Sequence, residues 1–171
     1  MKDVKNDIKE WIQAILIAIV VSVVIRLFLF ETTLVYGQSM ESTLRDRDRV
    51  IINKLVYHLY TPSRGDIVVF KNPTNNKENY VKRVIGVAGD TIEIADHKVY
   101  INGQLLNEPY LDEETESDFP KLVVPEDTIF VMGDNRNHSQ DSRYIGPIPV
   151  ENIIGKAQLR IWPISDFTFF R

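Results

Sequence analysis

The sequence predicts a mainly β domain preceded by a single membrane-spanning helix. Three observations carry this. One apolar run extends from Trp11 to Phe30; after it the pattern changes to short Val- and Ile-rich runs separated by turn residues; and an Asn102-Gly103 pair, a strong two-residue hairpin signal, lies between two of those runs. At 171 residues, the chain is long enough for one compact domain and an anchor. The expected division is 1–10 as a cytoplasmic N-terminus, 11–30 as the anchor and 31–171 as an extracytoplasmic domain.

The run WIQAILIAIVVSVVIRLFLF has only Gln13, Ser22 and Arg26 as polar interruptions. As a helix at ~1.5 Å per residue it reaches about 30 Å, the thickness of a bilayer core. Arg26 can snorkel from near its end, and Trp11 suits an interfacial position. Lys2, Lys5 and Lys9 precede the run, and after Arg26 the next basic residue is Arg45, which puts the N-terminus inside. A cleaved secretory leader fits less well, because Glu31-Thr32-Thr33-Leu34-Val35 offers no small-x-small site. A buried core helix also fits less well than a lipid-facing one, because the run has no polar face to turn to water. Ser39 follows Glu31 by eight residues, at most ~26 Å of extended chain, so it is expected near the outer membrane face.

In the outer segment the expected strands are Thr33–Tyr36, Arg49–Asn53, Asp66–Lys71, Tyr80–Val87, Thr91–Ile94, Lys98–Ile101, Gln104–Leu106, Thr128–Met132 and Gly155–Trp162, with one helical turn near Lys54–Tyr60. The stretch from about 91 to 125 reads as a smaller inserted subdomain. It contains the hairpin and the acidic run Asp112–Asp118, which reads as a solvated loop, and no candidate catalytic group. The net charge of −4 gives no reason to expect nucleic acid, and the absence of cysteine removes disulfides and thiolate metal sites.

Ser39, in Gly37-Gln38-Ser39-Met40, is the candidate nucleophile. A serine needs a base, and none of His58, His97 and His138 has a context that singles it out. The Gly-x-Ser-x-Gly elbow fails at Glu41. Lys82 lies among Tyr80, Val81, Val84, Ile85 and Val87, where burial would disfavour its charge and make it a base. The same residues also fit a solvated Lys82-Arg83 rim pair. The polar run Gly133–Arg143 either caps turns or orients catalytic groups; its spacing fails the EF-hand pattern, and neither metal nor cofactor is expected.

Four stretches in order resemble the motif set of bacterial type I signal peptidases: Gly37-Gln38-Ser39-Met40, Arg64–Phe70, Lys82–Asp90 and Gly133–Gly146. The resemblance covers nearly the whole chain, anchor included. It implies a membrane-anchored serine endopeptidase that removes signal peptides from exported preproteins after small residues, with Ser39 as nucleophile and Lys82 as general base. It further implies that Ser139 hydrogen-bonds the lysine amine, that Asp141 and Arg143 form a supporting ion pair, that Asp134 and Arg83 are structural, and that Val35, Tyr36 and Val81 line the substrate pockets. The implied fold is an antiparallel β core with a smaller inserted β subdomain; the implied partners are signal peptides and the lipid bilayer, around a monomer. Four positions depart from the motifs. Ser42 stands where the family often has proline, Asn137 and His138 replace the commoner Asp and Asn, and Gly37 stands where some members carry a serine that completes the oxyanion hole. Two rival readings are a cytosolic Ser-Lys autoprotease, which the anchor disfavours, and a tethered β module without catalysis, which the presence of both Ser39 and Lys82 disfavours.

Overall fold

A computed structural model of the protein describes residues 2–25, 29–75 and 78–170, with side chains of the first helix from residue 7 onward. The chain begins with helix α1 (Lys2–Val24), whose described side chains are exposed on every face. No helix of the described residues is long and apolar enough to cross a membrane. Phe30, expected as the last residue of the anchor, instead opens strand β1 (Phe30–Leu34), and Arg26 lies outside the described residues. Continuous hydrophobicity cannot mark this boundary, because a buried strand and an apolar helix share it.

After β1 the chain runs through β2 (Arg49–Asn53), the single turn α2 (Val56–Leu59), β3 (Ile67–Lys71) and the long β4 (Asn79–Val87). It continues through β5 (Thr91–Ala95), β6 (Lys98–Ile101), β7 (Gln104–Leu105), β8 (Phe119–Val123) and β9 (Thr128–Met132). The short α3 (Ser142–Ile145), β10 (Ile148–Pro149), β11 (Ile153–Trp162) and β12 (Thr168–Phe169) complete it. The strands form two antiparallel sheets. The larger has the order β1-β2-β11-β3-β4-β9-β10, with β12 added beside β11; the smaller has the order β7-β6-β5-β8.

Three apolar clusters hold this arrangement together. Val68, Phe70, Val84, Ile129, Val131 and Ile148 pack along the middle of the larger sheet. Ile85, Phe130 and Met132 meet Ile92, Ile94, Val99, Ile101 and Val124, fastening the smaller sheet to β4 and β9. Gly86 sits at this seam, where a β-carbon would run into the Ile92 side chain. The third cluster, Val35, Met40, Leu44, Val50, Ile67 and Ala157 with Val81 against it, lies directly under the segment that carries Ser39.

Two local features follow from turn chemistry. Asn102 and Gly103 both take positive φ, 53° and 78°, as the two-residue turn between antiparallel strands requires. Strand β8 was not legible in the sequence because it contains Pro120; it sits at the edge of the smaller sheet, where a missing N–H costs least.

Candidate active site

Ser39 lies in a tight turn between β1 and β2. Gly37 turns the chain there with φ of 83°, a conformation that glycine adopts without a steric penalty, and its N–H donates to Asp46 at 2.9 Å. The turn then closes through Glu41 N–H to Gln38 O at 3.0 Å and Leu44 N–H to Met40 O at 2.7 Å. Met40 and Leu44 are fully buried and pin the turn from below. The Ser39 carbonyl accepts from the Asn135 N–H at 3.1 Å, tying this turn to the loop after β9.

Lys82 comes from the middle of β4, opposite Val68 of β3. Its Nζ is 2.6 Å from Ser39 Oγ and donates to the Val81 carbonyl at 3.0 Å; the Tyr80 ring lies 5.2 Å away. The residue is 4 % exposed. Burial pushes its pKa down from 10.5 to about 8, against the upward pull of Asp141 and Asp134 and with a smaller downward contribution from Arg143. A solvated rim position is thereby replaced by a buried amine in contact with a hydroxyl. Among the described residues no histidine hydrogen-bonds Ser39: His58 is exposed at the end of α2, His97 pairs with the Thr115 carbonyl and His138 with Asn135.

The loop after β9 supplies the surrounding shell. Asp141 is wholly buried; it takes two hydrogen bonds from the Arg143 guanidinium, each at 2.8 Å, one from the Arg143 N–H at 3.3 Å and one from the Gly133 N–H at 2.9 Å. Asp134 takes two from Arg83, at 2.8 and 2.6 Å, and Arg83 also donates to the Gly65 carbonyl and Thr43 Oγ1. Ser139 differs from the expectation. Its hydroxyl is buried beside Gly133 and has no hydrogen-bond partner among the described residues, whereas the Lys82 amine contacts Ser39 Oγ and the Val81 carbonyl.

A cleft of about 300 Å³ opens beside the two side chains. Val35, Tyr36 and Val81 line it, together with Thr33, Leu34, Asn79, Gln140 and His138. Val35 is buried and Tyr36 exposed, so the cleft has an apolar floor and an aromatic lip.

Some of the surroundings were invisible in the sequence. Asp112–Asp118 is not uniformly solvated: Thr115 in its middle is 1 % exposed, and Asp112 and Glu113 line a second cavity with Glu41, Asp134 and Gln38. Ser42, at the position where the motif resemblance implies proline, is tied down by its hydroxyl, which donates to the Tyr110 carbonyl at 2.6 Å. These contacts join residues 68 positions apart, and no local pattern signals them.

Comparison with known proteins gives a consistent picture. A family model described as signal peptidase, peptidase S26, matches residues 8–162. The chain is 43 % identical over 173 residues to a signal peptidase I of Bacillus licheniformis, covering 95 % of this chain and 92 % of that protein. It is 41 % identical over 172 residues to signal peptidase I P of Bacillus subtilis subsp. natto, covering 94 % and 92 %. The crystal structure of a signal peptidase I from Enterococcus faecalis V583 is similar with a TM-score of 0.53 and 37 % identity, over 58 % of this chain and 98 % of that one.

Proposed function

The chain belongs to the signal peptidase family, peptidase S26, a family of serine endopeptidases, and we propose that it cleaves signal peptides from exported preproteins with a Ser39–Lys82 dyad. The single observation that supports this most is the buried Lys82 amine 2.6 Å from the Ser39 hydroxyl. An amine with a pKa near 8 has a usable neutral fraction at neutral pH, which an ordinary lysine lacks. Neutral Lys82 accepts the Ser39 proton while Ser39 Oγ attacks the scissile carbonyl. The ammonium then returns the proton to the leaving amine, and an acyl-enzyme remains. Water, deprotonated by Lys82, releases the signal peptide and restores Ser39.

The neutral amine has two N–H groups and one lone pair. The lone pair faces Ser39, one N–H serves the Val81 carbonyl, and the other is available to Ser139, whose hydroxyl otherwise stays buried and unpartnered. The Asp141–Arg143 and Asp134–Arg83 pairs hold the loop and β4 in register while neutralising the carboxylates that would raise the lysine's proton affinity.

Substrate enters as an extended chain. Among the described residues, strand β1 pairs only with β2, and Asn79–Lys82 of β4 pairs only with β3, since pairing with β9 begins at Arg83. Two strand edges therefore border the cleft, and a peptide between them completes both ladders. Val35, Tyr36 and Val81 leave room for small side chains before the cut.

The anchor belongs to the same reading. Ile12, Ile15, Leu16, Ile19 and Val20 of α1 are all more than half exposed, an arrangement suited to lipid and unfavourable in water. With the lysines of the first nine residues on the cytoplasmic side, the β domain stands at the outer face. The test is cleavage of a preprotein in detergent by Ser39→Ala and Lys82→Ala variants. Each is expected to be inactive while still unfolding in one cooperative transition; full activity in either would remove the dyad.

A further inference from the structure

Tyr110 lies in the segment between β7 and β8 of the smaller sheet, far in sequence from Ser39 and Lys82. It nevertheless touches the supports of both. Its carbonyl accepts from Ser42 Oγ at 2.6 Å, three residues beyond Ser39. Its ring faces the guanidinium of Arg83, 3.9 Å from the centroid, and Arg83 is the residue next to Lys82 on β4. Its hydroxyl donates to Glu108 Oε1 at 2.7 Å. Glu108 in turn pairs through both oxygens with Arg136, which is 2 % exposed and donates from Nε to the Gly133 carbonyl at 3.0 Å.

One residue thus links three segments: the nucleophile's turn through Ser42, the lysine's strand through Arg83, and through Glu108 and Arg136 the loop that packs on the Ser39 carbonyl. The elements carrying Ser39 and Lys82 approach each other from separate parts of the chain, so their spacing depends on such cross-links. The Arg83 guanidinium lies over the ring while the Asp134 carboxylate holds it through two hydrogen bonds.

We propose that Tyr110 is a positioning residue for proteolysis: its carbonyl fixes the turn that follows Ser39 and its ring fixes Arg83 beside Lys82. This rests on the assignment of Ser39 and Lys82 as the dyad. The smaller sheet is then part of the catalytic apparatus, because the segment between its strands clamps the two halves of the site.

The experiment measures kcat and KM for preprotein cleavage by the full-length enzyme in detergent, across pH on both sides of about 8. Tyr110→Ala is expected to lower kcat about tenfold or more while KM changes little, as for a small misplacement of reacting groups. Its acid limb is expected to move to higher pH. Asp134, less fully engaged by Arg83, would add to Asp141 in favouring the protonated amine, with Arg143 opposing both. Every substitution at 110 keeps the backbone carbonyl; Tyr110→Phe also keeps the ring, losing only the hydroxyl that reaches Glu108, and is expected to restore both kcat and the limb. A Tyr110→Ala enzyme with wild-type kcat and limb, or a Tyr110→Phe enzyme as impaired as Tyr110→Ala, overturns the proposal. Should Tyr110→Ala not fold, Ser42→Ala decides: it removes only the hydroxyl that reaches the Tyr110 carbonyl, and wild-type kcat in that variant overturns the clamp. Ser39→Ala runs alongside. Residual cleavage there sinks the dyad and the clamp together, whereas normal Tyr110→Ala beside inactive Ser39→Ala sinks the clamp alone.

Discussion

Gly133 and Ser139 are packed so closely that a β-carbon on Gly133 would overlap the Ser139 hydroxyl, and it would press equally on the Ser39 carbonyl. The absence of a side chain at this one position lets the loop after β9 lie against the Ser39 backbone. Gly133→Ala is expected to lower kcat by about 100-fold, because the Ser39 carbonyl cannot move aside without moving Ser39. It should cost about 1–3 kcal/mol of stability as overpacking. The double variant Gly133→Ala/Ser139→Gly should remain impaired, since the clash with the Ser39 carbonyl persists. Ser139→Ala separates the two effects. It removes a buried, unpartnered hydroxyl, so stability should hold or rise by up to about 1 kcal/mol while cleavage falls. Chemical denaturation and preprotein cleavage on the same samples check both.

The Lys82 amine ties activity to pH. Below about 8 the amine is protonated and cannot accept the Ser39 proton, so kcat/KM is expected to fall about tenfold per pH unit on that side and level off above it. A pH–rate profile whose acid limb lies near an ordinary histidine value would exclude Lys82 as the base.

The same burial costs stability, and its sign follows from proton uptake. The folded-state pKa, about 8, lies below the ordinary 10.5, so between those values the unfolded chain binds more protons and stability rises with pH. Below about 8 the full cost is present, up to about 3 kcal/mol at ~1.36 kcal/mol per pH unit. Lys82→Met is therefore expected to unfold at higher urea than the parent at neutral pH, with the difference shrinking as pH rises toward 10.5. Equal midpoints at neutral pH would show that the amine is not desolvated.

Ser42 offers a backbone test. Its φ is 81°, whereas proline fixes φ near −65°. The proline that the motif resemblance implies for this position therefore cannot be introduced here without reshaping the turn. Ser42→Pro is expected to lose about 3 kcal/mol or more, combining the incompatible φ with the lost hydrogen bond to Tyr110. Ser42→Gly should be nearly neutral in stability, because glycine takes positive φ freely and that gain offsets the lost bond of about 1 kcal/mol. Thermal unfolding of both variants distinguishes this account from one in which the turn is slack.

Much of the fold was legible because it depends on short-range pattern. Arg49–Asn53, Lys98–Ile101 and Thr128–Met132 form strands with the limits their Val and Ile content indicates, and Asn102-Gly103 makes the turn its chemistry demands. The misses have physical causes. The helix-to-strand change before Phe30 lies inside one continuous apolar run, and β8 is disguised by Pro120 at a sheet edge. The acidic stretch near Thr115 reads as solvent-facing by charge, yet Arg136, 21 positions away, reaches Thr115 and draws that segment inward.

By itself, then, the sequence determined the alternation of strands, the hairpin and the match to the motif set, and through that match it implied Ser39 and Lys82 as the candidate nucleophile and base. Only the tertiary structure decided that they meet. Ser39 and Lys82 are 43 residues apart, and their contact depends on β-sheet register, on Met40 and Leu44 filling the core beneath the turn, and on cross-links such as Ser42 to Tyr110. Desolvation of one amine is a property of everything packed around it, so no window of sequence contains it.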